Sequence, residues 1–166
     1  MEAIECIKSR RSIRKFTKQQ IPKEIILEIL ECGRWAPSGV NYQPWKIFVI
    51  MKSEFKKDLA KCTKYRSIIN NCSSVFLIFL DKSIEYNYTK QVQSVGAFFE
   101  NLLLAIHALG LGGVWIGEII NQKDEVNKLL DIKDPKFEFM GAIALGYPEG
   151  IGKSSRKELE SFVTWI

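Results

Sequence analysis

A segment in the middle of the chain is apolar on nearly every face of a predicted helix, and it constrains the fold more than any other feature. Residues 94–109 read SVGAFFENLLLAIHAL. Apolar side chains recur there at the i, i+3, i+4 and i+7 spacing of one helix face, and a further run of leucines and alanines covers the other faces. Such a helix is normally buried, at the centre of a domain or at a subunit interface. We therefore predict a central helix over residues 94–109, ended by Gly110.

The rest of the chain alternates short helices with short strands. At 166 residues it is long enough for one domain with a core and too short for two. Helical spacing predicts further helices at residues 3–10, 22–36, 54–62 and 124–130. Ile4 and Ile7 are expected on the inner face of the first. Runs of β-branched and aromatic residues predict strands at residues 46–51, 74–80, 114–117 and 137–145.

The last residues of the chain are unusually apolar. Phe162, Val163, Trp165 and Ile166 lie within five positions, whereas free termini are usually polar and frayed. Large aromatic side chains gain much from burial. We therefore expect this tail to dock, either on the sheet of its own chain or on a neighbouring subunit.

The cysteines, the single histidine and the charge argue against several classes of protein. The four cysteines form no CxxC pair and His107 is the only histidine, so we expect no metal site and reduced thiols in a cytoplasmic protein. No apolar stretch reaches the length of a membrane span, so no membrane partner is expected. The net charge of +5 is concentrated at residues 8–15 and 153–157. An anionic partner therefore stays open.

The first basic segment has the composition of a phosphate site. Arg10, Arg11 and Arg14 surround the hydroxyl of Ser12. Because a guanidinium group pairs with two phosphate oxygens and serine adds a donor, this set suits a dianionic phosphate. A solvated basic turn, or a nonspecific contact to nucleic acid, explains the same residues.

Two further segments have the composition of ligand-binding loops. Residues 36–45 read APSGVNYQPW, where two prolines predict a loop and Asn41 and Gln43 each offer a donor and an acceptor. Turn closure accounts for these residues equally well. Residues 110–118 read GLGGVWIGE, and their four glycines let the backbone approach a flat ligand. Helix capping explains Gly110, but it explains Gly117 less well.

In this order and spacing, the segments resemble the nitroreductase family of flavin enzymes. The matching pieces are RRSIRKF at residues 10–16, APSGVNYQPWKIF at 36–48, NLLLAIHALGLGGVWIG at 101–117 and KSSR at 153–156. The resemblance implies an α+β fold with three α/β/α layers, in which helices flank a mixed, mostly antiparallel sheet. It also implies an entwined homodimer of single domains (residues 1–166), with residues 160–166 as a strand that reaches the partner subunit.

The resemblance further implies an FMN site at the dimer interface. Side chains of both basic segments are expected to hold the phosphate, with the help of one lysine: Arg10, Arg11, Ser12, Lys153 and Arg156. Arg14 is expected at the pyrimidine side of the ring, and Asn41 and Gln43 at its edge.

The partner subunit and the glycine-rich segment complete the implied site. The partner contributes Ser38 and Gly39 of its own loop, and Pro37 is also expected to contact the cofactor. The backbone of Ile116 and Gly117 lies beside flavin N5, where hydride arrives and leaves, and Trp115 also contacts the cofactor. No catalytic side chain is obligatory, because the flavin carries the redox chemistry.

The implied activity is hydride transfer from NADH or NADPH to a small electron-poor acceptor, such as a nitroaromatic or a quinone, in two alternating half-reactions. Three alternatives stay open at this point: a flavin-binding or storage protein without turnover, a dehalogenating or flavin-consuming branch of the same fold, and a basic nucleic-acid-binding domain. Nucleic acid is not the expected partner. Residues 81–93 leave no room for the helical excursion that covers the substrate pocket in longer members of the family.

Overall fold

The computed structural model describes residues 2–166 and contains, over that range, six α-helices and one four-stranded sheet. The helices are α1 (Ala3–Ser9), α2 (Lys23–Arg34), α3 (Ser53–Leu59), α4 (Arg66–Asn71), α5 (Tyr88–Ala108) and α6 (Lys123–Leu129). The strands are β1 (Trp45–Ile50), β2 (Ser74–Asp81), β3 (Gly112–Ile116) and β4 (Phe137–Gly146). Each predicted element is present, with bounds shifted by a few residues.

The sheet has the strand order β1-β2-β4-β3, and all three strand pairs are antiparallel. The long central strands β2 and β4 therefore each pair with a strand on either side, and β1 and β3 form the two edges of the sheet. A single parallel bridge joins Ser12 to Gly113 of β3, and an antiparallel bridge joins Phe16 to Pro148 beyond β4. These bridges place residues 12–16 along the β3 edge of the sheet.

Two layers of helices cover the sheet, one on each face. Alternate residues of β2 point to opposite sides, as expected for a strand buried on both faces. Val75, Leu77 and Phe79 pack with residues of α3, α4 and α6. Phe76, Ile78 and Leu80 point to the other face and pack with residues of α2 and α5. This is the three-layer arrangement that the family resemblance implies.

The central helix α5 begins earlier than its apolar pattern indicates. It starts at Tyr88, six residues before the predicted start. Asn87 caps it, because the Asn87 side chain accepts a hydrogen bond of 3.1 Å from the backbone N–H of Lys90. The first turns are largely polar, so hydrophobic periodicity gave no signal there. At the other end the chain leaves the helix at Gly110, whose φ of 75° favours glycine.

One prediction about buried apolar residues is wrong, and one of the two alternatives for the C-terminal tail is excluded. Ile4 and Ile7 do not face inward: their exposed fractions are 65% and 54%, and Cys6 takes the inner position against α5. The C-terminal tail does not dock on its own sheet either. Residues 159–161 form a 3₁₀ turn, and Trp165 beyond it is 90% exposed. Apolar side chains of both chain ends therefore lie on the surface of the isolated subunit.

Candidate active site

The basic segment leaves α1 at Arg10 and runs directly against the edge strand β3. The backbone N–H of Ile13 donates a hydrogen bond of 3.0 Å to the carbonyl of Gly113. The neighbouring Gly112 has no room for a side chain, because a Cβ there would lie 2.8 Å from Cβ of Ile13. This close approach fixes the path of residues 12–15 relative to the sheet.

A cleft of about 370 Å³ opens between residues 12–15 and residues 149–153, and we name it the Ser12 cleft. Its lining includes the hydroxyl-bearing Ser12 and the cationic Arg14, Lys15 and Lys153. Glu149 is the one carboxylate among the described residues that line it. Three predicted cofactor residues, Ser12, Arg14 and Lys153, therefore share one predominantly positive cleft.

The other predicted phosphate residues have different surroundings. Arg11 Nη1 donates hydrogen bonds of 2.7 Å and 2.8 Å to the carbonyls of Lys8 and Arg10, so its guanidinium covers the end of α1. Arg10 Nε lies 3.4 Å from Oε1 of Glu100 on α5, and this buried N–H makes no hydrogen bond.

Arg156 lies on the surface, where its Nη1 donates to Ser154 Oγ and to the carbonyl of Ser155. None of the three arginines at positions 10, 11 and 156 lines the Ser12 cleft. Their contact with a phosphate therefore stays a prediction.

Arg14 also lines a second, smaller cavity of about 130 Å³, the Gly117 pocket. The pocket lies at the end of β3 and includes Trp115, Ile116 and Gly117, which are the residues predicted beside the flavin. Trp115 is fixed by parallel stacking on Phe99 of α5, with ring centroids 4.0 Å apart. Arg14 thus connects the Ser12 cleft to the predicted N5 edge.

The sequence did not single out Thr63, Tyr65 or Glu118, which help to build the Gly117 pocket. Tyr65 and Glu118 line it. Glu118 Oε2 accepts hydrogen bonds of 2.5 Å from Thr63 Oγ1 and 3.3 Å from the backbone N–H of Lys64. These bonds join the end of β3 to the segment before α4. The partners are about fifty-five positions apart along the chain, so no local motif reveals the pair.

The loop before β1 is a compact turn with unusual backbone geometry. Val40, Asn41 and Gln43 have φ values of 54°, 57° and 51°, which is rare for residues with a side chain and costs of the order of 1–3 kcal/mol each. The backbone N–H of Gln43 donates to Ser38 Oγ at 3.0 Å, and Gln43 Nε2 donates to the carbonyl and side chain of Asn41. Strain of this kind clusters at functional sites.

The hydrogen bonds of this loop concern residues that the resemblance divides between two subunits. The resemblance assigns Asn41 and Gln43 to one subunit and Ser38 and Gly39 to the other. Within one chain, Ser38, Asn41 and Gln43 belong to one hydrogen-bonded turn, with Gly39 between them. Which subunit contributes each of them to a flavin site stays a prediction.

The loop and the basic segment lie at opposite edges of the sheet. The loop leads into β1 and the basic segment runs along β3. Three strand spacings separate these edges, a distance of about 14 Å. A single chain therefore does not bring the two halves of the predicted site together.

His107 lies at the end of α5, close to the basic segment. Its Nε2 is 2.8 Å from Ser9 Oγ. Burial lowers the pKa of His107, and the nearby Arg10 and Arg11 lower it further. The imidazole is therefore held in its neutral form beside these arginines.

Two further kinds of feature are absent from residues 2–166. No three His, Cys, Asp or Glu side chains in that range are grouped as a metal ion requires. None of the described helices combines the length and the apolar content needed to cross a bilayer.

A protein-family model matches most of the chain. The model described as "Nitroreductase: Nitroreductase family" matches residues 7–64 and 54–147. The chain belongs to the nitroreductase family. The predicted family is thereby confirmed, and the basic segment, the loop and β3 of this nitroreductase all lie within the matched ranges.

Individual relatives agree with the fold over nearly the whole chain. A Methanothermobacter thermautotrophicus protein named NADH dehydrogenase/NAD(P)H nitroreductase is 32% identical over 89% of this chain and 78% of its own. A Desulfovibrio desulfuricans structure, named as a nitroreductase in complex with FMN, is 40% identical with a TM-score of 0.94, covering 98% and 95% of the two chains. The Vibrio harveyi NADPH:FMN oxidoreductase, complexed with NAD⁺, is 25% identical with a TM-score of 0.90, covering 98% and 76%. The predicted fold class is confirmed.

Proposed function

We propose that this nitroreductase binds FMN and transfers hydride from NADH or NADPH to a small electron-poor acceptor. The observation that carries the proposal is the position of Arg14, which lines both the Ser12 cleft and the Gly117 pocket. The two cavities together thus offer positive charge for an anion at one end and an exposed backbone edge at the other. A flavin mononucleotide has the matching pair of groups, a phosphate and a flat redox-active ring.

The residues of the Ser12 cleft fit a phosphate monoester. Lys153 and Arg14 supply charge and Ser12 supplies a hydroxyl. Gly152 keeps the wall of the cleft thin, because a Cβ there would lie 2.7 Å from Arg11 Cβ and 2.9 Å from the carbonyl oxygen of Ser12. Arg10 is two positions before Ser12, and its Nε makes no hydrogen bond although it lies 3.4 Å from Oε1 of Glu100. A phosphate within reach of the Arg10 guanidinium would offer it a further anionic partner.

Bound FMN would supply the redox chemistry of the reaction, which is hydride transfer between the nicotinamide and the acceptor through N5. The chain's part is to position and polarise the ring. The backbone of Ile116 and Gly117 approaches it closely, and the guanidinium of Arg14 stabilises negative charge at its pyrimidine side. The stacked Trp115 and Phe99 keep β3 rigid at this point. Because the same edge serves both partners, the reductant leaves before the acceptor enters.

A second copy of the chain completes the site. The strained loop of one subunit meets the basic segment of the other, which overcomes the separation of about three strand spacings within one chain. The surface that the second copy covers contains the exposed Ile4 and Ile7 of α1 and Trp35 at the end of α2. Residues 160–166 extend from one subunit over its partner. Exposed apolar patches of this kind mark interaction sites.

We place the enzyme in the cytoplasm, because all four of its cysteines are free and three of them are buried. The acceptor is a small molecule, a nitroaromatic, a quinone or a similar compound. Residues 82–87 contain no helix between β2 and α5, so the chain itself supplies little cover for the acceptor.

Flavin content and anaerobic reduction test the proposal. The purified protein is expected to be yellow, to release about one FMN per subunit on denaturation, and to bleach when NADH or NADPH is added without oxygen. Bound flavin that neither nucleotide bleaches would indicate storage instead of turnover. Colourless protein that does not take up FMN, and whose affinity for nucleic acid falls steeply with salt, would overturn the proposal.

A further inference from the structure

We infer that a cleft beside the Gly117 pocket binds the 2′-phosphate of NADPH and makes NADPH the preferred reductant. This inference rests on the proposed function, because it concerns the reductant of the same flavin site. The cleft, named here the Lys18 cleft, has a volume of about 450 Å³ and the following lining: Arg14, Lys15, Phe16, Lys18, Ser67, Asn71 and Glu149.

The charges in the Lys18 cleft favour an anion. Three cations face one carboxylate, Glu149, and two neutral side chains of α4, Ser67 and Asn71, add hydrogen-bonding groups. Lys18 Nζ donates to Asn71 Oδ1 at 3.2 Å, which holds the ammonium toward α4. Within residues 2–166 no carboxylate forms an ion pair with any of the three cations. Arg14 and Lys15 also line the Ser12 cleft, so Lys18 is the cation whose charge is left for a second ligand.

The cleft adjoins the place where the nicotinamide reacts. Arg14 lines both cavities, and α4 contributes Ile68 to the Gly117 pocket and Ser67 and Asn71 to the Lys18 cleft. A dinucleotide whose nicotinamide lies beside the flavin at the Gly117 pocket would extend over Arg14 and α4 towards Lys18.

One cation of the Lys18 cleft is not shared with the proposed flavin site. Arg14 and Lys15 also line the Ser12 cleft, where the FMN phosphate is placed. Lys18 lines only the Lys18 cleft and provides a point charge for a further anionic group. NADPH carries such a group on its adenosine ribose and NADH does not. The volume, equal to that of about fifteen water molecules, accommodates a ribose with its phosphate.

Charge-neutralising variants of the flavin-loaded dimer test the inference. We expect Lys18→Gln to lower kcat/KM for NADPH about tenfold or more and to change that for NADH less than twofold. Binding of 2′,5′-ADP, measured by calorimetry, is expected to weaken in the same proportion, while binding of 5′-AMP stays unchanged. Lys46→Gln, on the opposite edge strand β1, removes the same charge and is the matched control.

Three outcomes would overturn the inference. One is an equal loss of kcat/KM for NADH and NADPH, which would assign Lys18 to the pyrophosphate that both nucleotides share. The second is no change relative to Lys46→Gln. The third is a wild-type enzyme that binds 2′,5′-ADP no better than 5′-AMP. Failure of the proposed function looks different, since the protein then contains no FMN or is bleached by neither nucleotide.

Discussion

Replacing Gly117 by alanine separates the folding role of this residue from its role at the flavin. Gly117 has φ −78° and ψ −29°, which any residue adopts. The nearest atom to a Cβ built there is Trp115 Nε1, at 4.0 Å. Neither conformation nor space therefore requires glycine. Because alanine restricts the unfolded chain, Gly117→Ala is expected to stabilise the protein itself by about 0.4–1 kcal/mol, or by about 1–4 °C in Tm for a chain of this size.

Flavin binding is expected to change in the opposite direction. If the backbone of Gly117 contacts the ring, an added methyl group overpacks that contact and costs about 1–3 kcal/mol. Since 1.4 kcal/mol corresponds to a factor of ten, the Kd for FMN rises by about 5- to 140-fold. Thermal unfolding over a series of FMN concentrations measures both effects, because the Tm without FMN reports folding and its rise with FMN reports affinity.

A contrasting variant and a clear refutation accompany this experiment. Gly152→Ala places a Cβ 2.9 Å from the carbonyl oxygen of Ser12, so it is expected to lower both Tm and FMN affinity. If Gly117→Ala instead keeps the wild-type affinity and the wild-type rate of flavin reduction, the ring does not lie against this backbone. The assignment of residues 116 and 117 to the N5 edge would then be wrong.

Three further predictions concern the dimer, the pocket wall and the response to acid. Deletion of residues 162–166 is expected to increase the dissociation constants of dimer and FMN together, as sedimentation and flavin fluorescence measure; a stable flavin-loaded monomer would contradict this. Thr63→Val removes the donor to the Glu118 carboxylate and is expected to lower the free energy of unfolding by about 1–3 kcal/mol in urea titrations, whereas an unchanged value would show that the bond is dispensable. Burial and two arginines lower the pKa of His107 below 6.5, so its contribution to stability is present above pH 6.5 and is lost as the pH falls below 6.5. His107→Gln is expected to remove this part of the acid sensitivity. If the pH profile of stability is unaltered in the variant, this role of His107 is refuted.

The sequence predicted four strands and every described helix except α4, because each of these elements has a local signal. The buried run of β2 and the apolar faces of α5 are continuous, and their periodicity survives in the structure. The start of α5 was missed where the pattern becomes polar, at Tyr88. Ile4 and Ile7 were placed inward because a single helix shows which residues share a face but not which face meets the core. Tertiary contacts, here those of Cys6 with α5, decide that question.

The site was predicted in its components and less well in its assembly. Composition selects Ser12 and Arg14, the family resemblance adds Lys153, and the three share a cleft. Arg11 was selected on the same grounds, yet its guanidinium turns back to cap α1. Side-chain direction is set by local hydrogen bonds that a residue pattern does not contain. Glu118 was missed for a related reason, because its partner Thr63 is distant in the chain.

The position of the loop at one edge of the sheet and of the basic segment at the other has a thermodynamic consequence. In the proposed dimer each subunit carries two half-sites that do not combine within itself, so flavin binding would require the second copy. The free energy of FMN binding and the free energy of dimerisation would then be linked, and by reciprocity FMN would strengthen the dimer by the same factor by which dimerisation strengthens FMN binding. The strain at Val40 and Asn41 is already present in the loop of the single chain. We therefore expect the affinity for flavin to depend on protein concentration.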